Sequence, residues 1–516
     1  MKDFKKAFPP ILWTVATIFE MILAAVFSLT NLLPTNLLIA AILLLILIAV
    51  FNGLLLLPPV GKKTWKRTMG YVLSVALIIC SVAGVFYLNR TKAAIDNVTT
   101  QSNIVATMGV YTLAENEAEE IKDLSDATMG FLETYDAERN TTAVEEINKK
   151  SKGELLRVDK ASVFEMAEAL YSGDVDAIVL DEAFVTLLTD SEVELDEEAE
   201  GEEVTEEVAA APDYSDFNER TRLLYEVQIY GEADEEEASA SDKDVSDETF
   251  VVYISGSDTR NTKLTTSRSD VNILAEINPV THEIIMINTP RDYYIGNPAG
   301  GGAKDKLTHL GIYGIDNSMK GLSELYGIDV DYYVQVNFNG FKELINQLGG
   351  VDVESQYSFT SYIYGGTYSY TRGMNHLNAD EALAFCRERM EVPGGDVTRG
   401  VHQMATIKAV IEKVTSSETL LTNYNGLMTG LEGTFTTSFT SDEISELVKK
   451  QLEDNVTWNI HSFTVQGTGS KNTTYSAPST YCYVMIPDDG LVNFAKDLLQ
   501  KVSSGETLTD EDVVYQ

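Results

Sequence analysis

The segment SRSDVNILAEINPVTHEIIMINTPRDYY, residues 267–294, contains two consecutive strand patterns with charged residues at their ends. Val271–Ile277 and Glu283–Asn288 are rich in isoleucine and other apolar residues, which is typical of buried strands. Pro290 ends the second strand and turns the chain, because proline cannot donate a hydrogen bond to a sheet. We therefore expect a sheet with a rim of arginine and aspartate side chains where these strands end.

Strand and helix patterns alternate on both sides of this segment. Asn378, with Glu381 three residues later, predicts an N-cap and capping box that open a short helix reaching about Leu383. The alternation predicts an α/β domain, a mixed sheet covered by helices, over residues 249–503. Residues 504–516 are expected to be a loose tail. Further strands are predicted at Phe250–Ser255 and Tyr332–Val336, and helices at Met319–Tyr326, Gly340–Leu348, Val397–Val414, Asp442–Leu452 and Gly490–Val502.

Three apolar runs at the N-terminus, roughly residues 11–29, 36–57 and 68–88, are each close to the ~20 residues that a membrane-spanning helix needs. No small-residue cleavage site follows the first run, so we expect these helices to be retained as a membrane anchor over residues 1–92. Lysine and arginine precede the first run and separate the second from the third, whereas the loop between the first two is uncharged. Short cationic loops stay in the cytoplasm, which predicts a cytoplasmic N-terminus and an extracellular remainder.

The remainder of the chain is strongly acidic. The net charge is −41 for the whole chain, and because residues 1–92 carry +7, the rest carries −48. Such a surface repels nucleic acid, which argues against a DNA-reading transcription factor. Three cysteines are too few for a disulfide scaffold and show no zinc-binding spacing. Cys80 falls in the third apolar run, which leaves only Cys386 and Cys482 outside it, where they could pair.

Residues 101–190 alternate strand and helix patterns and are predicted to form a small accessory α/β domain. Its segment ALYSGDVDAIVLDEAF, residues 169–184, resembles a strand-approaching segment of solute-binding-protein domains. Residues 191–248 form a predicted acidic linker, in which 23 Asp or Glu residues accompany only three Arg or Lys residues. Within the linker, TRLLYEVQIY (residues 221–230) is an apolar island that could add an edge strand to a neighbouring sheet. In the accessory domain, strands are expected at Asn103–Leu113, Glu154–Val158 and Asp176–Leu180, an acidic helical stretch after the first strand, and a helix at Val163–Tyr171.

Candidate site residues follow or precede the strands of the larger domain. Asp258 comes just after the strand predicted at Phe250–Ser255, in SGSDTR. Arg268 and Asp270 come just before the strand predicted at Val271–Ile277. Two carboxylates at adjacent strand ends can share a hard cation such as Mg²⁺, which prefers oxygen ligands. Arg291 follows the strand predicted at Glu283–Asn288, so its guanidinium would point along the same rim.

Further polar residues come from the later part of the domain. Arg387 and Arg389 are two residues apart, a spacing that puts both side chains on one face of a strand, so we expect an extended segment in FCRERM. Arg399 and Gln403 are four apart near the start of a predicted helix, where the helix dipole favours anions. Arginines combined with aspartates suit a pyrophosphate held by bidentate contacts and a metal bridge. Each residue alone is more often a solvated or ion-paired side chain, and the interpretation depends on the combination.

These residues lie in long, ordered motifs between residues 249 and 503. The motifs are SGSDT, SRSDVNILAEINP, INTPRDYY, DKLTHLGIYG, LYGIDVDYYVQVNFNGFKELINQLGGVDV, HLNADEALAFCRERM and GGDVTRGVHQ. In them the chain resembles the extracytoplasmic LytR-CpsA-Psr domain of Gram-positive bacteria, particularly its capsule-associated branch with three membrane helices.

The resemblance implies a phosphotransferase that moves a glycopolymer, such as capsular polysaccharide or teichoic acid, from a polyprenyl-pyrophosphate carrier to a peptidoglycan sugar hydroxyl. Polyprenyl phosphate would be released. Asp258 and Asp270 match the family's Mg²⁺-associated acids, with Mn²⁺ as the alternative cation. The implied catalytic residues are Asp270, Arg291, Arg387, Arg389 and Arg399, and the implied pyrophosphate-binding residues are Arg268, Arg291, Lys306, Arg387, Arg389, Arg399 and Gln403.

Several alternatives stay open. Water could replace the sugar hydroxyl, which would make the protein a pyrophosphatase of the lipid carrier. The chain could also be a non-enzymatic regulator or scaffold, with its acidic linker and accessory domain as docking surfaces for polysaccharide-assembly proteins. Asp396 is either a general base or a helix N-cap. Apolar helix residues could line an isoprenoid groove but are more often plain core: Leu307, Leu310, Ile312, Leu322, Leu325, Phe341, Leu344 and Leu348.

Overall fold

A computed structural model divides the chain into two compact units. Unit 1 comprises residues 1–100, 412–432 and 440–457, and unit 2 comprises residues 101–411, 433–439 and 458–516. Most of the predicted acidic linker lies outside the described residues. The structure describes residues 2–30, 33–57, 64–99, 104–133, 137–151, 155–189, 214–230, 241, 243–257, 264–416, 426–427, 430–431, 434–478 and 481–515.

Unit 1 is built on three long apolar helices, α1 (Lys2–Leu29), α2 (Thr35–Leu56) and α3 (Thr64–Thr99). Each contains a segment that is long and apolar enough to cross a membrane, which confirms the three predicted spans. Helix α13 (Ser441–Asp454) belongs to the same unit and contributes apolar side chains to a cluster with α1 and α3. Its first residue, Ser441, donates a hydrogen bond to the Asp96 carboxylate of α3 at 2.9 Å.

The N-terminal part of unit 2 is a five-stranded sheet in the order β3-β2-β4-β1-β5. β5 pairs antiparallel with β1 at the edge of the sheet, which confirms the prediction for the apolar island. β2 replaces part of the predicted acidic helical stretch, because Met129 and Phe131 are completely buried in the core. The elements are β1 (Ile104–Leu113), β2 (Thr128–Leu132), α4 (Ala137–Ser151), β3 (Leu156–Lys160), α5 (Val163–Ser172), β4 (Ala177–Asp181), α6 (Glu182–Thr189), α7 (Phe217–Arg220) and β5 (Thr221–Tyr230).

The larger sheet of unit 2 has six strands in the order β16-β11-β6-β7-β8-β17. β6, β7 and β8 form an antiparallel meander, whereas β11 is parallel to β6 and β17 is parallel to β8. The sheet is therefore mixed, as predicted. Its strands are β6 (Phe250–Ser257), β7 (Ser269–Asn278), β8 (Glu283–Asn288), β11 (Tyr332–Asn337), β16 (Phe435–Thr437) and β17 (Asn459–Thr464).

Helices cover both faces of this sheet. α9 (Ile315–Tyr326) and α14 (Asp489–Ser503) share a buried cluster with Leu274 of β7. α12 (Gly395–Val414) shares a different cluster with Ile273. Adjacent residues of β7 enter the two clusters because side chains alternate between the faces of a strand. This mixed sheet with helices on both faces confirms the predicted fold class.

The remaining elements are short. Asn378 and Glu381 form the predicted capping box at the start of α11. These elements are β9 (Tyr294–Asn297), β10 (Ala303–Lys306), α8 (Leu307–Leu310), α10 (Phe338–Gln347), β12 (Val351–Ser355), β13 (Phe359–Ser361), β14 (Tyr368–Tyr370), β15 (Gly373–Leu377), α11 (Ala379–Arg387), β18 (Gly467–Asn472) and β19 (Cys482–Pro487).

Parts of the chain differ from the sequence predictions. The extended segment predicted for FCRERM is wrong, because α11 continues through Arg387 and the chain leaves the helix only after it. Residues 504–515 pack onto unit 2 instead of forming a loose tail: Leu508 is buried in the cluster of α14, and its N–H donates to the Glu283 carboxylate at 3.0 Å. The plain-core alternative fits the apolar residues that are completely buried, namely Leu307, Leu310, Ile312 and Leu322.

Candidate active site

Charged side chains gather at one end of the β6–β8 meander. β7 begins at Ser269 and β8 ends at Asn288, and because the two strands are antiparallel, these ends lie side by side. Arg268 and Asp270 stand at this end of β7, and Arg291 follows β8. The rim expected from the sequence therefore forms, and its side chains are buried or half-buried.

Asp270 is the electrostatic centre of this cluster. Arg291 Nη1 lies 3.2 Å from Asp270 Oδ1, and the Thr308 hydroxyl lies 3.5 Å from the same oxygen. Burial by itself would raise the pKa of this carboxyl, but the guanidinium groups of Arg291, Arg268 and Arg399 outweigh it and hold the pKa below its usual range. Asp270 is consequently ionised at neutral pH.

Asp292 joins Arg291 to Lys306 in a chain of buried ion pairs. Lys306 Nζ lies 2.9 Å from Asp292 Oδ1, and Arg291 Nε lies 3.7 Å from Asp292 Oδ2. The side chains of Lys306 and Asp292 are only 3% and 12% exposed. The sequence prediction included Lys306 but missed Asp292, although Asp292 directly follows Arg291 and so leaves β8 at the same point.

The first turns of α12 bring Asp396 and Arg399 to the cluster. Gly394 directly precedes α12 and Gly395 is its first residue. Their φ angles are 80° and 49°, values that residues other than glycine rarely adopt. Arg399 is ion-paired with Asp396 one turn earlier on the helix. Burial raises the pKa of Asp396 above its usual value, and the nearby Asp292 raises it further, although Arg399 opposes both effects.

Gln403, one turn after Arg399, ties α12 to the end of α11. Its side-chain amide donates to the backbone carbonyl of Cys386 at 3.3 Å.

The Cys386 thiol donates to Thr406 at 3.3 Å, and the Cys482 thiol donates to the carbonyl of Asn472 at 3.6 Å. No disulfide joins these two cysteines.

Arg387 and Arg389 lie at the end of α11 and just beyond it. Arg387 is the last residue of the helix, and its guanidinium carbon lies 4.3 Å from the centre of the Phe338 ring, a cation–π contact. Arg389 follows in a non-helical segment and is one of the cations that act on Asp396. Between them, Glu388 is buried and accepts the backbone N–H groups two and three residues later, which holds this segment in a turn.

The described residues contain no group of three or more His, Cys, Asp or Glu side chains that could hold a metal ion. Asp258, one of the two predicted metal ligands, lies outside the described residues. The other, Asp270, is an ionised carboxylate. Because Mg²⁺ is usually bound by one or two carboxylates together with phosphate oxygens, Asp270 suits that mode of binding.

The assembled cluster has the chemistry of an anion-binding site. Its five cations outnumber its three carboxylates. An arginine guanidinium can donate two parallel hydrogen bonds to a pair of phosphate oxygens. The electrostatic attraction between the two groups is stronger where water is excluded. The cations are Arg268, Arg291, Lys306, Arg389 and Arg399, and the carboxylates are Asp270, Asp292 and Asp396.

A protein-family model described as the LytR_cpsA_psr family matches residues 223–486, just over half of the 516-residue chain. The chain belongs to the LytR-CpsA-Psr family. The matched range begins within β5 and ends within β19. Every predicted site residue, from Asp258 to Gln403, lies inside it.

Curated relatives carry a common name. A polyisoprenyl-teichoic acid–peptidoglycan teichoic acid transferase TagU of Bacillus mycoides is 31% identical over 222 residues, which cover 43% of this chain and 69% of the relative. A protein of the same name from Enterococcus faecalis is 30% identical over 202 residues, covering 39% of this chain and 65% of the relative. A solved structure described as TagT bound to LI-WTA is 25% identical, covers 51% of this chain and 94% of that chain, and has a TM-score of 0.41.

Proposed function

We propose that this protein is a phosphotransferase that attaches a surface glycopolymer to peptidoglycan. It takes the polymer from a polyprenyl-pyrophosphate carrier and releases polyprenyl phosphate. Family membership and the transferase names of the relatives support this reaction class. The observation that carries the proposal is the buried set of arginines around Asp270, which is built to neutralise a pyrophosphate.

Phosphoryl transfer depends mainly on positioning and on neutralising the charge of the phosphate oxygens. That charge is supplied by Arg268 just before β7, by Arg291 just after β8, and by Arg399 near the start of α12. Asp270 fixes the direction of the Arg291 guanidinium through their 3.2 Å ion pair. The acceptor hydroxyl attacks the phosphorus that carries the glycan, and the bond to the polyprenyl phosphate breaks.

Asp396 is the proposed general base, which takes the proton of the attacking sugar hydroxyl. Burial raises its pKa, and a carboxylate with a raised pKa accepts a proton more readily than an ordinary one. Its ion pair with Arg399 keeps it beside the phosphate-binding cations. Asp396 lies in the first turn of α12, inside the helix, so the alternative role of N-cap does not describe its position.

A divalent cation, Mg²⁺ or Mn²⁺, would be held by Asp270 and Asp258. When bound, it neutralises charge on the phosphate oxygens. The protein's own contribution there is the ionised Asp270 carboxylate, whose charge is maintained by the surrounding arginines. Substitution of Asp270 by asparagine should weaken binding of Mn²⁺, measured by electron paramagnetic resonance titration.

The membrane anchor places enzyme and carrier lipid in the same bilayer. With the N-terminus in the cytoplasm, as the cationic loops predict, the catalytic domain faces the outer side, where peptidoglycan lies. Tethering raises the effective concentration of the carrier at the active site. A fragment beginning near residue 95 should therefore act poorly on carrier embedded in a membrane.

Replacement of Arg291 by alanine tests the proposal. We expect cells that carry this variant to lose wall-linked polymer by at least about tenfold, because one charge-assisted contact to phosphate is worth about 1.5–3 kcal/mol. The control is Arg372→Ala, which removes an exposed arginine from a loop. Normal attachment in the Arg291 variant would refute the proposal.

Analysis of the products separates transfer from the alternatives. Mass spectrometry should find a phosphodiester between the polymer and a peptidoglycan sugar. Free polymer phosphate without that linkage would mean that the protein is a pyrophosphatase. Normal attachment despite loss of all pyrophosphate binding would mean that it is a scaffold.

A further inference from the structure

A buried polar network surrounds Asp305, the residue directly before Lys306 in β10. Asp305 is completely buried, and its carboxylate accepts hydrogen bonds from Asn297 at 3.0 Å, from the Ser476 hydroxyl at 2.6 Å and from the backbone N–H of Lys306 at 2.9 Å. His309 Nδ1 lies 2.8 Å from the same carboxylate. A buried carboxylate with this many partners holds the surrounding loop in one conformation.

The residues that follow Asp305 contact the active site. Lys306 Nζ pairs with Asp292 at 2.9 Å, and Asp292 in turn lies beside Arg291. The backbone N–H of Thr308 donates to the carbonyl of Arg291 at 2.8 Å. The Asp305 network therefore fixes the base of a short segment whose next residues touch the phosphate-binding cluster.

The same network reaches the accessory domain on its other side. The hydroxyl groups of Ser476 and Tyr313 lie 3.1 Å apart. The ring of Tyr313 packs edge-on against the ring of Phe184 in α6, with the ring centres 5.6 Å apart. Ile312 and Ala477, next to these residues in the chain, are buried in the hydrophobic core of the five-stranded sheet β3-β2-β4-β1-β5.

We propose that Asp305 is a positioning residue for Lys306, and that the accessory domain supports the active site through Phe184, Tyr313 and Ser476. The hydrogen bond from the Lys306 backbone N–H to Asp305 fixes the point from which the Lys306 side chain extends, so that the ammonium is already in place when a phosphate binds beside it. This inference rests on the proposed phosphotransferase function. It assigns the accessory domain the role of holding the site in its binding-competent geometry.

A double-mutant cycle tests the link between Asp305 and Lys306. The probe is inorganic pyrophosphate, titrated calorimetrically into the detergent-solubilised full chain with Mg²⁺ present. We expect Asp305→Asn to weaken pyrophosphate binding about tenfold, because a displaced Lys306 ammonium loses its charge-assisted contact to the ligand. In the Lys306→Ala background the same change should weaken binding less than about twofold, because the side chain that Asp305 positions is already gone.

Equal effects in both backgrounds would overturn the proposal, since a purely structural role of Asp305 does not depend on the Lys306 side chain. Should Asp305→Asn fail to fold, Ser476→Ala takes its place in the cycle, because it removes only the 2.6 Å hydrogen bond from the hydroxyl. Thermal unfolding of each variant shows which of the two is used.

Tyr313→Phe tests the route to the accessory domain. It removes the hydroxyl 3.1 Å from Ser476, and we expect pyrophosphate binding to weaken about threefold. The matched control is Tyr171→Phe, which removes a tyrosine hydroxyl that donates to Asp216, the residue before α7, at 3.0 Å. Equal affinities for the two variants would overturn the proposed support by the accessory domain.

The outcomes also separate this inference from the proposed function. If the cycle shows coupling but the wild-type chain forms no wall-linked polymer, the phosphotransferase proposal fails alone. If transfer occurs but the cycle is additive, the positioning role fails alone. If the wild-type chain binds no pyrophosphate, both fail.

Discussion

Replacing Asp292 with asparagine measures how strongly the buried ion pairs of the site depend on this carboxylate. The Lys306 and Asp292 side chains are 3% and 12% exposed and lie 2.9 Å apart. Loss of one partner of a buried pair costs about 3–5 kcal/mol, because the remaining charge stays desolvated. Arg291 also loses a carboxylate oxygen 3.7 Å from its Nε. We expect Asp292→Asn to lower the free energy of unfolding by about 3 kcal/mol.

The control for this substitution is an exposed ion pair. Asp380→Asn removes the partner of Lys342, which lies 2.6 Å away, but the two side chains are 60% and 39% exposed. Water solvates both charges there, so we expect a loss below about 1 kcal/mol. In the Asp292→Asn background, Lys306→Met should recover part of the stability, because it removes the buried ammonium.

The assay is guanidinium chloride unfolding of the detergent-solubilised full chain, followed by near-ultraviolet circular dichroism, which reports tertiary packing. Equal losses for Asp292→Asn and Asp380→Asn would refute the reasoning, since they would mean that solvent screens the Lys306 pair as well as a surface pair. A third possible result, recovery to full stability by Lys306→Met, would mean that the cost comes entirely from the desolvated ammonium.

Three further predictions concern other parts of the molecule. Burial raises the pKa of Glu276 to about 7, so between pH 4.5 and 7 the folded protein keeps a proton that the unfolded chain releases. The free energy of unfolding should therefore fall by about 2–3 kcal/mol as the pH rises from 4.5 to 7.5. Glu276→Gln should abolish this part of the pH dependence in denaturant titrations. Leu508→Ala should lower the free energy of unfolding by about 2–5 kcal/mol, because the side chain is buried. Val514 is 58% exposed, so Val514→Ala should change this free energy by less than about 0.5 kcal/mol. Equal effects would contradict the packing of the C-terminal residues. Glu20 of α1 is buried, and within the described structure its carboxylate oxygens have no hydrogen-bond partner. Glu20→Leu should therefore stabilise the detergent-solubilised chain by about 2 kcal/mol. A lower unfolding midpoint for this variant would contradict the prediction.

Much of the secondary structure was predictable because its signals are local. The three apolar runs predicted the three helices that are long and apolar enough to cross a membrane. The strand patterns at Val271–Ile277 and Glu283–Asn288 lie within β7 and β8. The capping box at Asn378 needs only two residues three positions apart, and it forms as predicted. By contrast, the two-residue spacing of Arg387 and Arg389 gave the wrong result, because the apolar face of α11 extends that helix through Arg387.

The candidate site was predictable only in part. Charged residues next to the ends of β7 and β8 could be found from the sequence, since antiparallel strands bring those ends together. Asp292 was missed, because its importance comes from the distance between its carboxylate and Lys306, not from a spacing along the chain. The same holds for Asp305, whose partner Ser476 comes from a distant part of the sequence.

The sequence alone was sufficient for the membrane helices, the mixed α/β fold and the family motifs, because hydrophobic periodicity, caps and motif order are properties of neighbouring residues. Tertiary structure was needed to show that Leu508 belongs to the core, that Asp292 couples Arg291 to Lys306, and that Tyr313 connects the accessory domain to Asp305. Those relations are made by burial and by distances of about 3 Å between residues far apart in the chain. Ion pairs and hydrogen bonds of this kind depend on how the elements pack, and no local pattern records that packing.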